Sequence, residues 1–276
     1  MLTQTHRRRG ELLTLALLCA LLLSLALAAG CGGKGEGQPA QGDGVTQGDG
    51  APAATSSADS PQTTSNISEE EAREVAERVL LQLKDFPVGW SQLPPDEYED
   101  VQLDLPPECQ TFWEQEEWPG TLVHVDSPEF EGPDEEEVDS GVAIYVDGEA
   151  AHQAYADGKT AIDLCREPLR VALVKYIEEG LRAEHPDANI EVVASTWDWL
   201  SFPPYGDESA ALRWSLTMNV GAQPLVLYSD LIDWRVGRIE VSMGFDTRSE
   251  PPDLEEEQRL AQIIDERLGK AAKDSD

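Results

Sequence analysis

The chain has 276 residues, with 54 acidic and 20 basic side chains and a formal net charge of −34. This balance excludes a function that depends on binding nucleic-acid phosphates or anionic lipid through a basic surface. Hydrophobic residues make up 40% of the chain and seven residues are Trp, so it is not merely a disordered acidic tail.

The N-terminus has the features of an export signal. Three arginines at positions 7–9 precede an uncharged apolar run from Leu12 to Ala29. The run ends in Leu27-Ala28-Ala29-Gly30-Cys31, which resembles the lipobox of bacterial lipoproteins. The resemblance implies that residues 1–30 are a signal peptide and that Cys31 becomes the lipid-modified first residue. The alternative is an uncleaved anchor helix, because the run is near the minimum length of a membrane span.

Two further regions follow the signal. Residues 31–66 are rich in small and polar residues and are predicted to form a disordered tether, because they cannot bury enough apolar surface to fold. Residues 67–276 are predicted to form a single domain that contains Cys109 and Cys165. In an exported protein these two cysteines are disulfide candidates, and the bridge would stabilise the fold by about 4 kcal/mol. The alternative is two buried free thiols.

The predicted elements begin with two helices. Ser68 and Glu71 form a capping box at the start of the first, which continues with apolar residues at helical spacing. That apolar stripe is Val75, Val79, Leu80 and Leu83. A short second helix is predicted near residues 107–117.

Strands are predicted at 121–127 and 138–146 from their β-branched and aromatic content. A helical region follows at 148–184, with Gly158 and Pro168 expected to break or kink it. The remaining predicted elements are strands at 189–199, 209–220, 224–234 and 237–245, and a helix at 253–268 that Gly269 ends. Short turns between strands favour antiparallel pairing, so the prediction is an α+β domain with five to six antiparallel strands and flanking helices.

Two motifs carry a family resemblance. The segment Asp85-Phe86-Pro87-Val88-Gly89-Trp90 resembles the D-L-P-x-G-W element of actinobacterial lipoproteins, and Gly206-Asp207-Glu208-Ser209 resembles their G-D-E-S loop. Cys165 in the central helix also fits this group, which includes PknH-type extracellular sensor domains. The resemblance implies a Mog1/PsbP-like sheet with flanking helices and an extracytoplasmic cleft that binds a ligand, but no established reaction. PknH-type domains have more cysteines than this chain.

Aromatic residues near turns are the candidate ligand-binding set. They are Trp90, Trp197, Trp199, Tyr205 and Trp214, with Asp207 as a polar member. The loop Phe202–Ser209 is the preferred rim of such a pocket. For each Trp the alternative is a place in the core, and Asp207 and Glu208 alternatively pair with Arg213.

Catalytic motifs are scarce, and no catalytic residue, metal or cofactor is predicted. His124 and Asp126 share a strand face and are the candidate pair for an envelope hydrolase, against the alternative of a solvated strand end. The acidic run from Asp134 to Glu137 with Asp139 lacks the spacing of a calcium loop and is interpreted as a solvated hairpin.

The sequence therefore predicts a non-enzymatic, sensor-like domain on the extracytoplasmic side of the cell membrane, anchored through lipid on Cys31. It is expected to bind a small ligand or an envelope protein, and no nucleic acid. The alternatives are the hydrolase and an acidic interaction module, the latter because no Lys or Arg lies between Lys84 and Lys159.

Overall fold

A computed structural model of the chain describes residues 28–29, 67–94, 103–113 and 115–274. The predicted lipidation site Cys31, the tether 31–66 and the signal residues other than Ala28–Ala29 lie outside these ranges. Among the described residues, no helix combines the length and apolar character needed to cross a bilayer.

Helices and strands alternate as an α+β chain. The helices are α1 (Glu69–Val79), α2 (Pro107–Trp113), α3 (Gly148–Glu184) and α4 (Leu254–Asp274), with a short 3-10 turn at Leu83–Asp85. The strands are β1 (Ala28–Ala29), β2 (Ser91–Gln92), β3 (Glu116–Glu117), β4 (Thr121–Asp126), β5 (Phe130–Glu131), β6 (Glu137–Tyr145), β7 (Ile190–Trp199), β8 (Glu208–Val220), β9 (Gln223–Val236) and β10 (Ile239–Arg248). The predicted fold class is confirmed.

One antiparallel sheet of eight strands organises the domain. Its order is β2-β5-β6-β10-β9-β8-β7, and β4 also pairs with β6. The sheet is larger than the predicted five to six strands because the two-residue strands β2 and β5 extend the β6 edge. Segments this short carry no periodicity for a sequence pattern to reveal. The strands β1 and β3 form a separate antiparallel pair.

Helices cover both faces of the sheet. On one face α1 and α4 pack over β6, β9 and β10, where Trp234 is fully buried. On the other face α3 packs over β7 and β8 and, near its start, over β6. Central strands are therefore buried on both sides, which is why β10 is an almost unbroken run of buried residues.

The predicted capping box at the start of α1 is confirmed. The Ser68 hydroxyl accepts a hydrogen bond from the Glu71 amide at 3.2 Å, and the Glu71 carboxylate accepts one from the Ser68 amide at 2.9 Å. Two orphan donors of the first turn are thereby satisfied.

The expected breaks of α3 at Gly158 and Pro168 and the expected end of α4 at Gly269 do not occur. The helix α3 runs through Gly158 and Pro168 without a break, because the neighbouring Cys165 and Leu169 are fully buried and hold this turn in place. The helix α4 likewise passes Gly269 and continues to Asp274. The cost of an exposed helical glycine, about 1 kcal/mol, is smaller than the gain from burying Leu268 beside it.

The disulfide between Cys109 and Cys165 is present, which confirms the predicted pairing over free thiols. It joins the short helix α2 to the middle of α3 across a sequence separation of 56 residues. Because α2 is only seven residues long, this crosslink fixes its position on the long helix.

Candidate functional site

A pocket opens between the first half of α3 and the central strands of the sheet. It contains about 620 Å³ of space, including its open mouth. Much of this space belongs to the mouth, which is open to solvent. The pocket lies where α3 crosses from the core cluster over β7 and β8 to the small cluster around Tyr145.

Aromatic side chains from four different segments form the wall. Phe112 comes from α2, Trp118 from the loop before β4, Tyr155 from α3 and Trp199 from the end of β7. The Phe112 and Trp118 rings lie 6.2 Å apart between centroids. The disulfide at Cys109 holds the helix that supplies Phe112, so the crosslink helps to position the wall.

Two carboxyl groups lie on the sheet floor of the pocket. Asp233 on β9 and Glu240 on β10 line it together with the apolar side chains of Ala210, Leu212 and Leu231. Glu240 is 7% exposed and accepts a hydrogen bond from the Tyr145 hydroxyl at 2.8 Å.

Burial shifts the pKa of both carboxyl groups upward. It raises the pKa of Glu240 to about 7, against a lowering by the Tyr145 hydrogen bond. It also raises the pKa of Asp233 well above its usual value, and the charge of Glu240 adds to this shift. Burial therefore favours the neutral form of both groups.

Two buried donors in the wall have no hydrogen-bond partner within the described part of the chain. They are the Tyr155 hydroxyl and the Trp118 indole N–H. Tyr155 is 8% exposed and Trp118 is 7% exposed. A buried donor left unpaired costs about 1–3 kcal/mol, so such groups are rare in folded proteins. Both residues line the pocket.

A lysine stands at the mouth. The Lys159 ammonium lies 5.9 Å from the centroid of the Trp199 ring, within the range of a cation–π interaction. Among the described residues no carboxylate oxygen is within ion-pair distance of this ammonium. The face of Trp199 is thus already a site that holds a positive charge.

Of the aromatic residues singled out from the sequence, Trp199 lines this pocket. Trp197 and Trp214 are buried in the core between α3 and strands β7 and β8. The Trp214 indole N–H donates to the Ser195 hydroxyl at 3.1 Å. Neither residue lines the pocket, so their predicted role in ligand binding stays a prediction.

The remaining predicted aromatics lie on the opposite face of the sheet. Trp90 stacks on Phe86 with 4.5 Å between ring centroids, beside the core of α1 and α4. The Tyr205 hydroxyl donates to the backbone oxygen of Gln258 at 3.2 Å, and its ring lies 5.9 Å from that of Trp234. The structure therefore spreads the predicted set over three places.

The Gly206–Ser209 motif fastens the loop before β8 to the turn after β9. Gly206 has a φ of +57°, and the amide of Asp207 donates to the backbone oxygen of Arg235 at 2.7 Å. The Asp207 carboxylate accepts from the Gly237 amide at 2.8 Å. The loop that was the preferred pocket rim is thus tied to the sheet by its own polar residues.

Asp207 and Glu208 do not pair with Arg213, which was the alternative considered from the sequence. Arg235, rather than Arg213, donates to Glu208 at 2.9 Å and to Asp207 at 3.3 Å. Arg213 instead forms a two-pronged pair with the fully buried Asp230 on the other face of the sheet. Strand register decides this, because Arg213 lies directly opposite Asp230.

The His124 and Asp126 pair lies outside the pocket. Its Nε2 and Oδ1 atoms are 3.4 Å apart, and a Cβ on Gly141 would lie within 3.2 Å of both and 2.8 Å from the Ser242 hydroxyl. Ser242 is 4% exposed, so this hydroxyl is closed to a substrate.

The acidic residues near this pair do not form a metal site. Burial raises the pKa of Asp139 to about 7, with a further contribution from the charge of Asp126. Within the described ranges, no group of three or more His, Cys, Asp or Glu side chains is arranged to hold a metal ion.

The sequence patterns missed most of the pocket. Trp118, Tyr155, Asp233 and Glu240 belong to four separate segments that only the folded sheet brings together. A partial signal exists for the two acids, because each lies in a central strand that is largely buried, although Asp230 and Asp246 share this feature. A charged residue at an inward-facing strand position points either to a pairing partner or to a site.

The fold and the pocket together define an α+β domain with an open, partly aromatic pocket under one long helix. A scan of protein-family models finds no match to the sequence, and a search of curated proteins finds none. Among solved structures, the chain is similar to the crystal structure of the extracellular domain of PknH from Mycobacterium tuberculosis, at 13% identity and a TM-score of 0.40. The similarity covers 74% of this chain and 98% of that one, and it does not by itself assign the chain to a family.

Proposed function

We propose that this chain is a lipid-anchored extracytoplasmic domain that binds a small ligand in the pocket between α3 and the sheet, without catalysing a reaction on it. One observation carries the proposal: aromatic walls and two unpaired buried donors, Tyr155 Oη and Trp118 Nε1, converge in one pocket within the described part of the chain. Unpaired buried donors also occur outside the pocket, at Trp234 Nε1 for example, so it is their combination with the aromatic wall and the two floor acids that supports ligand binding.

The proposed location is supported by two features. A disulfide between Cys109 and Cys165 belongs to an oxidising compartment, as expected for an exported protein. The lipobox-like segment that ends at Cys31 supports a lipid anchor. Mass spectrometry of the mature protein tests this: we expect a diacylglycerol-modified Cys31 at the N-terminus, and an unmodified Cys31 still preceded by Gly30 contradicts it.

A binding role is better supported than the hydrolase alternative. The Ser242 hydroxyl near the His124 and Asp126 pair is buried, and the pair lies away from the pocket. The sensor-like part of the proposal rests on the resemblance of the Asp85–Trp90 and Gly206–Ser209 motifs to sensor domains. An acidic interaction surface remains compatible with ligand binding, because the two would use different parts of the domain.

The proposal is tested by filling the pocket. A Cβ on Gly158 would lie 3.6 Å from the Trp118 ring, so a leucine there extends into the pocket without displacing backbone. Gly269 in α4 has nothing within 4 Å and provides the matched glycine-to-leucine control. Thermal unfolding of the full-length protein is measured against a panel of small organic cations, neutral polyols and carboxylates.

The expected result is that at least one class raises the Tm of the wild-type protein and of Gly269→Leu, but not of Gly158→Leu. At a ligand concentration 100-fold above Kd the stabilisation should be about 2.7 kcal/mol. A panel that shifts none of the three proteins, or shifts all of them equally, contradicts ligand binding in this pocket.

A further inference from the structure

The charges that face the pocket are unbalanced. Asp233 and Glu240 both line its floor, and Arg235 lies opposite Glu240 in the sheet register. The Arg235 guanidinium directs its hydrogen bonds elsewhere, to Glu208 at 2.9 Å and to the backbone oxygen of Gly237 at 2.5 Å. The charge of Arg235 lowers the pKa of Glu240, but burial and the charge of Glu240 raise the pKa of Asp233, so a positive charge inside the pocket would stabilise the ionised floor.

The aromatic wall of the pocket also favours a positive charge. Aromatic rings attract cations through their faces, and the pocket brings Trp118, Tyr155 and Trp199 to one side of the floor acids. Lys159 already places an ammonium 5.9 Å from the Trp199 centroid. Carbon substituents on a ligand nitrogen would pack against these rings and against Leu212 and Leu231 on the floor.

The two unpaired donors add a second requirement. The indole N–H of Trp118 can only donate, and the Tyr155 hydroxyl can donate as well as accept. A ligand that reaches both donors needs an acceptor oxygen as well as its charged nitrogen. Anions fit less well, because the floor offers two carboxyl groups against the single ammonium of Lys159 at the mouth.

We infer that the pocket binds a small organic cation that carries an acceptor oxygen, with its nitrogen beside Asp233 and Glu240 and its carbon groups against Trp118, Tyr155 and Trp199. This inference rests on the proposed function, since it names the ligand class of that same pocket. The net charge of −34 adds a long-range field that attracts cations to the domain.

The test compares molecules of one shape and three charges. The probes are choline, the uncharged isostere in which a tert-butyl group replaces the trimethylammonium, and the carboxylate that carries the same tert-butyl group. Calorimetric titration of the full-length protein at pH 8 should show choline bound at least 10-fold more tightly than either counterpart. Equal or tighter binding of the uncharged isostere overturns the inference.

Variants then place the effect in the pocket. Asp233→Asn keeps the shape and removes the charge, and it should weaken choline binding at least 10-fold while leaving the uncharged isostere unaffected. Asp198→Asn makes the same change of net charge on an exposed strand position near Trp199 and should change choline binding less than 2-fold. Because burying one charge fewer should not destabilise the fold, Asp233→Asn is expected to keep its wild-type Tm or exceed it.

The outcomes separate the inference from the proposed function. If neutral or anionic members of the panel bind and Gly158→Leu blocks them, the pocket binds ligands but the cation assignment is wrong. If choline binds and Asp233→Asn and Asp198→Asn weaken it equally, the assignment to this floor is also wrong. Tyr155→Phe gives an independent check, with an expected loss of 3-fold or more for choline, whose oxygen would lose a donor. An unchanged affinity in that variant excludes the predicted oxygen contact.

Discussion

The Arg267 guanidinium donates to the Asp85 carboxylate at 2.6 Å and joins two positions 182 residues apart. Arg267 also donates to the backbone oxygen of Leu80 at 2.6 Å, and Arg259 donates to the backbone oxygen of Asp85 at 2.8 Å. The segment after α1 is thereby fastened to α4. This segment begins the Asp85–Trp90 motif, so the motif's acid has a structural partner within the fold.

Loss of this contact should destabilise the protein. Asp85 is 6% exposed at its side chain, so Asp85→Ala leaves Arg267 without its carboxylate in a poorly solvated place and should cost about 2–3 kcal/mol. Chemical denaturation measures the change. The control is Glu69→Ala, which removes the exposed partner of Arg73 and should cost no more than about 0.5 kcal/mol. Equal effects of the two variants would contradict the fastening role of Asp85.

The backbone of the Gly206–Ser209 motif provides a second prediction. A Cβ on Gly206 would lie 2.2 Å from the backbone oxygen of Arg235, at a φ of +57°. Gly206→Ala should therefore cost about 3 kcal/mol or more, from the strained φ together with the overlap. Gly221 has a φ of +64° and nothing within 4 Å, so Gly221→Ala should cost only about 1 kcal/mol. Similar losses of Tm in both variants would mean that the close approach to Arg235 does not matter.

Stability should fall as the pH rises, in part because of Glu257. Burial, aided by the nearby charge of Asp230, raises the pKa of Glu257 to about 9 in the folded state, against 4.5 in a model peptide. Below pH 4.5 this group is protonated in both states and costs nothing. Between pH 4.5 and 9 the unfolded chain ionises more readily, so stability is lost at up to the order of 1 kcal/mol per pH unit.

Replacing Glu257 isolates this contribution. Glu257→Gln should raise the Tm at pH 8 and flatten the decline between pH 7 and 9, because the amide cannot ionise. Glu255→Gln changes the same charge on an exposed position of α4 and should leave the slope as in the wild-type protein. A Glu257→Gln variant with the wild-type slope would show that the buried carboxyl does not control this pH range.

The disulfide should support both stability and the pocket. Replacing Cys109 and Cys165 together by serine should cost about 2–4 kcal/mol, because the unfolded chain regains its freedom. It should also weaken binding of any ligand that the Gly158→Leu variant excludes, because Phe112 then loses its fixed position. Denaturation and titration below the lowered Tm separate the two effects. Unchanged affinity in a destabilised variant would show that Phe112 is held by packing alone.

The elements of the fold could be predicted because their signals are local. Ser68 and Glu71 mark a helix start by themselves, and the meander of β8 to β10 follows from turns at Gly221 and Gly237. The two-residue strands β2 and β5 could not be predicted, since they arise from pairing with β6 and have no pattern of their own. The continuity of α3 past Pro168 likewise depends on burial by distant residues.

The pocket was less accessible to prediction than the fold. Trp199 was recognised because it is an aromatic residue beside a turn, but aromatic content alone does not separate it from Trp197, two positions earlier and buried in the core. The separation is set by where α3 crosses the sheet, which depends on long-range packing. Tyr155 and Trp118 are ordinary helix and loop residues until that crossing places their polar atoms beside a cavity.

The disulfide between α2 and α3 determines when the pocket is completed relative to export. Thiols in the cytosol are kept reduced, so in a chain exported as we propose the bond between Cys109 and Cys165 would form only after export. The helix that supplies Phe112 would be locked against the long helix at that moment. A newly made chain would then acquire its finished pocket only on arrival, and would not fill it with a cytosolic metabolite on the way.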